Sequence, residues 1–160
     1  MSPTGSAAER PLYHLEDLEP GVRFTTGSVT VTKDDIFAFA TSYDPQPFHL
    51  DEAAAEAHPV FQGLSASGWQ TASLTMRLLT TTAPRLAGGV IGLGGEVKWP
   101  RPVRPGDVLT VHAEVAEQRR SQSRPDRGIV TLKCETRTQR DEVVQQLVAR
   151  LLVFARGAGR

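Results

Sequence analysis

A chain of 160 residues fits one domain better than two and can bury a core without disulfide or metal staples. Lys plus Arg and Asp plus Glu each count 18, so the formal net charge is zero, which argues against a nucleic-acid binder while leaving room for a local basic patch. Cys134 stands alone, which excludes an internal disulfide and fits a reducing compartment; the N-terminal MSPTGSAAER has no apolar run of a signal peptide, and no stretch approaches the roughly 20 apolar residues of a membrane helix, so a soluble, cytoplasmic protein is expected.

Residues 1–11 are small and polar and read as a disordered tail, with a single domain expected over 12–156 and a short tail at 157–160. Pro20-Gly21 marks a turn, and Phe24 to Val31 reads as a strand. Thr32-Lys33-Asp34-Asp35 carries the start of a helix, with Thr32 at the N-cap and acids in the first turn; Ile36, Phe37, Phe39 and Ala40 supply its apolar side. Pro45 disfavours helical geometry at Asp44, so this helix ends before that residue. Asp51 to Ala57 reads as a short helix halted by Pro59.

Ser67-Gly68-Trp69-Gln70 matches a capping box, with Ser67 at the N-cap and Gln70 reaching back. The helix that follows runs to about Thr82. Trp69, Ala72, Met76 and Leu79 form one apolar stripe, and Leu74 and Leu78 lie elsewhere, as expected of a buried helix. The rest of the chain is strands. Val90 to Trp99 is extended and Pro100 to Gly106 is a proline-rich loop. Leu109, Val111, Ala113 and Val115 alternate with polar residues, as do Val130, Leu132 and Cys134, and Val143 to Val153 extends the pattern. Arg119 to Gly128 reads as a flexible hairpin loop. Segregated helices and strands mean an α+β fold, with an antiparallel sheet wrapped around one long helix.

Two features could carry chemistry. In Tyr43-Asp44-Pro45-Gln46-Pro47-Phe48-His49-Leu50-Asp51, two prolines stiffen the loop that holds Asp44 and His49. A carboxylate and an imidazole held over one small space can share a water, one taking a proton while the other delivers one. On spacing alone, the commoner roles come first: Asp44 ending one helix and His49 capping the next. The second feature is Gly68. The first turn of a helix has backbone N–H groups without intrahelical acceptors, and a glycine there lets a ligand carbonyl approach, as in an oxyanion hole. By itself, Gly68 reads first as a tight-packing residue.

Asp44-Pro45-Gln46-Pro47-Phe48-His49-Leu50-Asp51 resembles the hydratase signature of the MaoC-like dehydratases and (R)-specific enoyl-CoA hydratases: an Asp, an Asn-Pro two residues on, and a His five residues after the Asp. Thr32 to Phe39 looks like that family's lead-in, Gly68 falls where its central helix opens, and Val103-Arg104-Pro105-Gly106-Asp107 looks like its V-x-x-G-D entry to a long strand. The resemblance covers roughly residues 12–156. It implies a hotdog fold and hydration of a trans-2-enoyl-CoA to an (R)-3-hydroxyacyl-CoA, or the reverse. Asp44 and His49 would be the acid/base pair and the Gly68 amide the oxyanion donor. The thioester of coenzyme A would be a substrate, with no separate cofactor, and a homodimer or larger homo-oligomer would close the channel.

The chain departs from the family pattern at several positions. Gln46 replaces the usual Asn, Ser67 precedes Gly68 where many members have His, Trp69 follows where a smaller residue is common, and Met76 replaces a small or polar one. Gln46, Ser67 and Trp69 are therefore candidate substrate-binding residues, though a core anchor is the first reading of Trp69. Lys98, Arg101 and Arg104 could meet CoA phosphates or simply face solvent. His58 and His112 have no partners at metal-ligand spacing, and His14 reads as structural. Two other functions stay open: a thioesterase, which would want an acid on the central helix although residues 65–82 hold none, and a non-catalytic acyl-CoA-binding module, which has no need of Asp44 and His49.

Overall fold

The computed structural model describes residues 10–158. The expected tails at 1–11 and 157–160 therefore fall mostly outside this range; Arg10 donates to the Ala83 carbonyl at 2.7 Å. The elements in order are β1 (Leu12–Tyr13), a 3-10 turn (Leu15–Asp17), β2 (Arg23–Thr30), α1 (Lys33–Tyr43), α2 (Pro47–Leu50), α3 (Glu52–Ala57), α4 (Gly68–Thr81), β3 (Arg85–Leu86), β4 (Ile91–Lys98), β5 (Val108–Arg120), β6 (Arg127–Arg137) and β7 (Val143–Phe154). β1 pairs with β3 in a two-residue parallel ribbon. The other five strands form one antiparallel sheet in the order β2-β5-β6-β7-β4.

The period-2 alternation holds through the centre of this sheet. Leu109, Val111, Ala113 and Val115 on β5, and Val130, Leu132 and Cys134 on β6, are all buried. They meet Leu78 and Leu79 of α4, Leu15 and Leu18 of the entry turn, and Leu151 and Val153 of β7 in the main apolar cluster. Cys134 sits so deep in it that burial pushes its thiol up to about 12. A second cluster, around Val31, Ile36, Ala55, Leu64, Ala66, Val103, Leu109 and Val144, lies under α1 to α3 and the loop before α4.

The N-terminus of α1 forms as read: Thr32 accepts from the Asp35 amide at 3.1 Å, and the Asp35 carboxylate accepts from the Thr32 amide. α4 differs from the expectation in two ways. Ser67 does cap it, accepting from the Trp69 amide at 3.3 Å, but Gln70 does not reach back and its Oε1 is buried with no partner among the described residues. The buried face holds Thr71, Thr75, Leu78 and Leu79, whereas Trp69 is 62% and Met76 45% exposed. The helix lies on the sheet with one face only. Its threonines can go inward because neighbouring polar groups satisfy their hydroxyls, so hydropathy alone assigns the wrong stripe. The β5–β6 hairpin is also tighter than expected, as the two strands continue pairing to Arg120 and Gly128.

Candidate active site

α1 ends at Asp44, whose amide still donates to the Ala40 carbonyl at 2.9 Å. Pro45 stops the helix, and Pro47 occupies the first turn of the four-residue α2, so part of the expected loop is helical. Asp51 then caps α3 by accepting from the Ala54 amide at 2.7 Å. The end of α1 and the short α2 thus fold the signature back on itself and bring Asp44 against His49. Asp44 Oδ2 lies 3.3 Å from His49 Nε2. Ser67 Oγ donates to the same Oδ2 at 2.7 Å, and Gln46 Nε2 donates to Oδ1 at 2.5 Å.

His49 is 4% exposed, between the edges of Phe48 and Phe61. Its Nδ1 lies 2.6 Å from the Ser65 carbonyl oxygen. A carbonyl can only accept, so Nδ1 carries a proton and Nε2 is the atom presented to Asp44. Burial works to raise the Asp44 pKa, but the hydrogen bonds from Ser67 and Gln46 and the adjacent imidazole outweigh it, leaving the carboxyl below its ordinary range. The carboxylate is therefore ionised at neutral pH, with a nitrogen that can hold a proton beside it.

Ser67 connects this pair to α4, since its Oγ serves both the Asp44 carboxylate and the helix cap. One residue on, the Gly68 amide opens the helix and makes no hydrogen bond to a described residue. Gly68 and His49 line the same pocket of about 240 Å³, with Phe61, Ala66, Thr71 and Trp99 among the other walls. A Cβ built on Gly68 would lie 2.7 Å from the Trp99 ring, so this position admits only glycine without displacing the indole.

Of the remaining candidates, Trp69 is not a core anchor; its exposed ring packs edge-on against Trp99 with centroids 5.2 Å apart. Arg101 borders the pocket and pairs with Glu142 at 3.3 Å, and Lys98 lies 3.9 Å from Glu96. The Arg104 guanidinium instead turns inward and donates to the Phe61, Gly63 and Leu64 carbonyls, bracing the loop that leads into α4. His14 caps the entry turn, His58 accepts from the Val60 amide, and His112 lies 3.4 Å from the Thr25 hydroxyl. No three His, Cys, Asp or Glu side chains among the described residues are grouped to hold a metal. Phe61 and Trp99 were missed as pocket residues. Phe61 follows His58-Pro59 in an irregular loop, and Trp99 precedes a proline run, so neither carries a periodic signal.

The family model described as MaoC like domain matches residues 18–138. A 3-hydroxybutyryl-CoA dehydratase of Methylorubrum extorquens is 33% identical over 137 residues, covering 85% of this chain and 81% of that protein. Among solved structures, a MaoC-like dehydratase from Rhodospirillum rubrum superposes with a TM-score of 0.87 at 53% identity, covering 90% of this chain and 98% of that one. An (R)-hydratase from A. caviae involved in PHA biosynthesis superposes at 0.66 with 29% identity, over 88% and 98% of the two chains. No helix among the described residues is long and apolar enough to cross a membrane. The hotdog fold, the matched domain and these relatives agree: the chain belongs to the MaoC-like dehydratase family.

Proposed function

We propose that this protein adds water to a trans-2-enoyl-CoA thioester to give an (R)-3-hydroxyacyl-CoA, or runs the reverse dehydration, with Asp44 and His49 as its acid/base pair and the Gly68 amide as oxyanion donor. The observation that carries the reading is the 3.3 Å approach of Asp44 Oδ2 to His49 Nε2, in which the imidazole shares one pocket with Gly68. The similarity to a 3-hydroxybutyryl-CoA dehydratase supports a thioester of this kind.

The chemistry follows from the groups present. A water held between the pair loses a proton to the ionised Asp44 as its oxygen bonds to the β-carbon. The electron pair of the C=C bond moves toward the thioester, and the Gly68 N–H stabilises the charge that develops on the carbonyl oxygen. The α-carbon then takes the proton from His49 Nε2, giving the hydroxyacyl product. Proton transfer from Asp44 to His49 Nε2 across their contact returns the pair to its starting state, with Asp44 ionised and Nε2 protonated. Gln46 and Ser67 hold the carboxylate in place and in its ionised form.

Arg101, which borders the pocket, is the cation we assign to the CoA phosphates; Lys98 pairs in register with the exposed Gln146 on the other face of the sheet, and Arg104 is committed to the loop carbonyls. A homodimer completes the picture. β4 is an edge strand, Leu93 on it is 48% exposed, and an unpaired apolar edge is a template for a second copy. A thioesterase is disfavoured because α4 presents no carboxylate to the pocket. The test is a panel of enoyl-CoAs followed by loss of the conjugated thioester absorbance. Hydration of at least one member supports the reading, and inertness toward short, long, branched and carboxylated members alike would overturn it.

A further inference from the structure

Trp99, a wall of the pocket beside Gly68, is joined to a buried polar layer. Trp99 Nε1 donates to Gln145 Oε1 at 2.8 Å, Gln145 Nε2 donates to Thr75 Oγ1 at 3.0 Å, and Thr75 Oγ1 lies 2.6 Å from Thr136 Oγ1. Gln145 and Thr75 are fully buried and Thr136 is 1% exposed. Thr75 lies one turn after the pocket-lining Thr71 on α4, and Thr136 and Gln145 face each other across β6 and β7.

The next repeat on all three elements is apolar. Leu79 follows Thr75 by one turn, Cys134 lies two residues from Thr136 on the same side of β6, and Leu147 lies two residues from Gln145 on β7, opposite Cys134. Leu79, Cys134 and Leu147, with Met76, line a separate apolar cavity of about 30 Å³. The order along the helix is therefore site pocket, polar layer, apolar cavity. Displacing Gln145 would strand the Trp99 indole N–H and take one of two hydrogen bonds from the buried Thr75 hydroxyl, so the layer resists being pushed aside.

We propose that the Thr75–Thr136–Gln145 layer is the floor of the acyl pocket and confines the enzyme to short acyl chains, shutting longer ones out of the apolar cavity behind it. This rests on the hydratase reading for the identity of the ligand. Two ladders keep the two ideas apart: kcat/KM for hydration of crotonyl-, trans-2-hexenoyl- and trans-2-octenoyl-CoA, and calorimetric binding of butyryl-, hexanoyl- and octanoyl-CoA.

The expected result is a drop of at least about 100-fold in kcat/KM from crotonyl- to octenoyl-CoA, with a parallel loss of octanoyl-CoA affinity. Gln145→Ala, which opens the layer, should raise the hexenoyl-to-crotonyl ratio at least about tenfold, whereas Gln145→Leu, which keeps the volume, should not. Octenoyl-CoA hydrated within a few-fold of crotonyl-CoA would overturn the proposal and leave the hydratase reading standing. A length cut-off in binding without hydration of any enoyl-CoA would support the floor and overturn the hydratase reading. If Gln145→Ala fails to fold, the two wild-type ladders still decide, since they need no variant.

Discussion

The two ends of α4 make an instructive contrast. Its C-terminal half, with Leu78 and Leu79, is packed against Val111, Leu132 and Val153 as an ordinary apolar core. Around its N-terminus Ser67, Gln70 and Thr71 are just as buried, but the contacts there are polar: Ser67 on Asp44, His49 on the Ser65 carbonyl, and a Gly68 amide with no acceptor among the described residues. Burial alone therefore does not distinguish stability from chemistry. What distinguishes them is whether the buried polar groups spend their hydrogen bonds on each other or keep one in reserve.

If that contrast is right, changes at the two ends should fail in different ways. Asp44→Asn and His49→Gln should each lower kcat by about 10²–10⁴ while circular dichroism and the melting temperature stay close to wild type. Gly68→Ala should lower kcat by about 10²–10³, because its Cβ both pushes Trp99 aside and crowds the carbonyl site; steady-state kinetics on the folded variant would show it. At the other end, Leu78→Ala should destabilise the fold by about 2–5 kcal/mol in a denaturant titration, with kcat per folded molecule nearly unchanged. Equal loss of stability from both ends would erase the distinction.

The smallest effect sharpens the comparison most. Ser67→Ala removes a donor that holds the Asp44 carboxyl low, so its pKa should rise in a carboxyl NMR titration. Because the folded-state value lies below the unfolded one, Asp44 stabilises the fold above its unfolded pKa, and that contribution is lost as pH falls through the folded value. The variant should lose this contribution at a higher pH than wild type does. It should also cost about 0.5–2 kcal/mol through the missing helix cap.

Most of the fold could be read from the sequence because its signals are local. Alternation gave β5 and β6, Thr32 and Asp35 gave the start of α1, and Pro45 gave its end. The buried face of α4 could not be read, because Thr75 goes inward only where Gln145 and Thr136, partners distant in sequence, meet its hydroxyl. Gln145 itself was hidden by a register shift between Thr136 and Arg137, which breaks the alternation along β7. For the site, the motif supplied Asp44 and His49 and the helix start supplied Gly68. The bond from Ser67 to Asp44 and the inward turn of Arg104 depend on tertiary geometry that no spacing encodes.

The most direct check is a structure with butyryl-CoA, a saturated mimic that cannot be hydrated. It should show the thioester oxygen about 3 Å from the Gly68 nitrogen and a water within reach of both Asp44 and His49. A carbonyl bound away from the first turn of α4, or no water between the two side chains, would contradict the account.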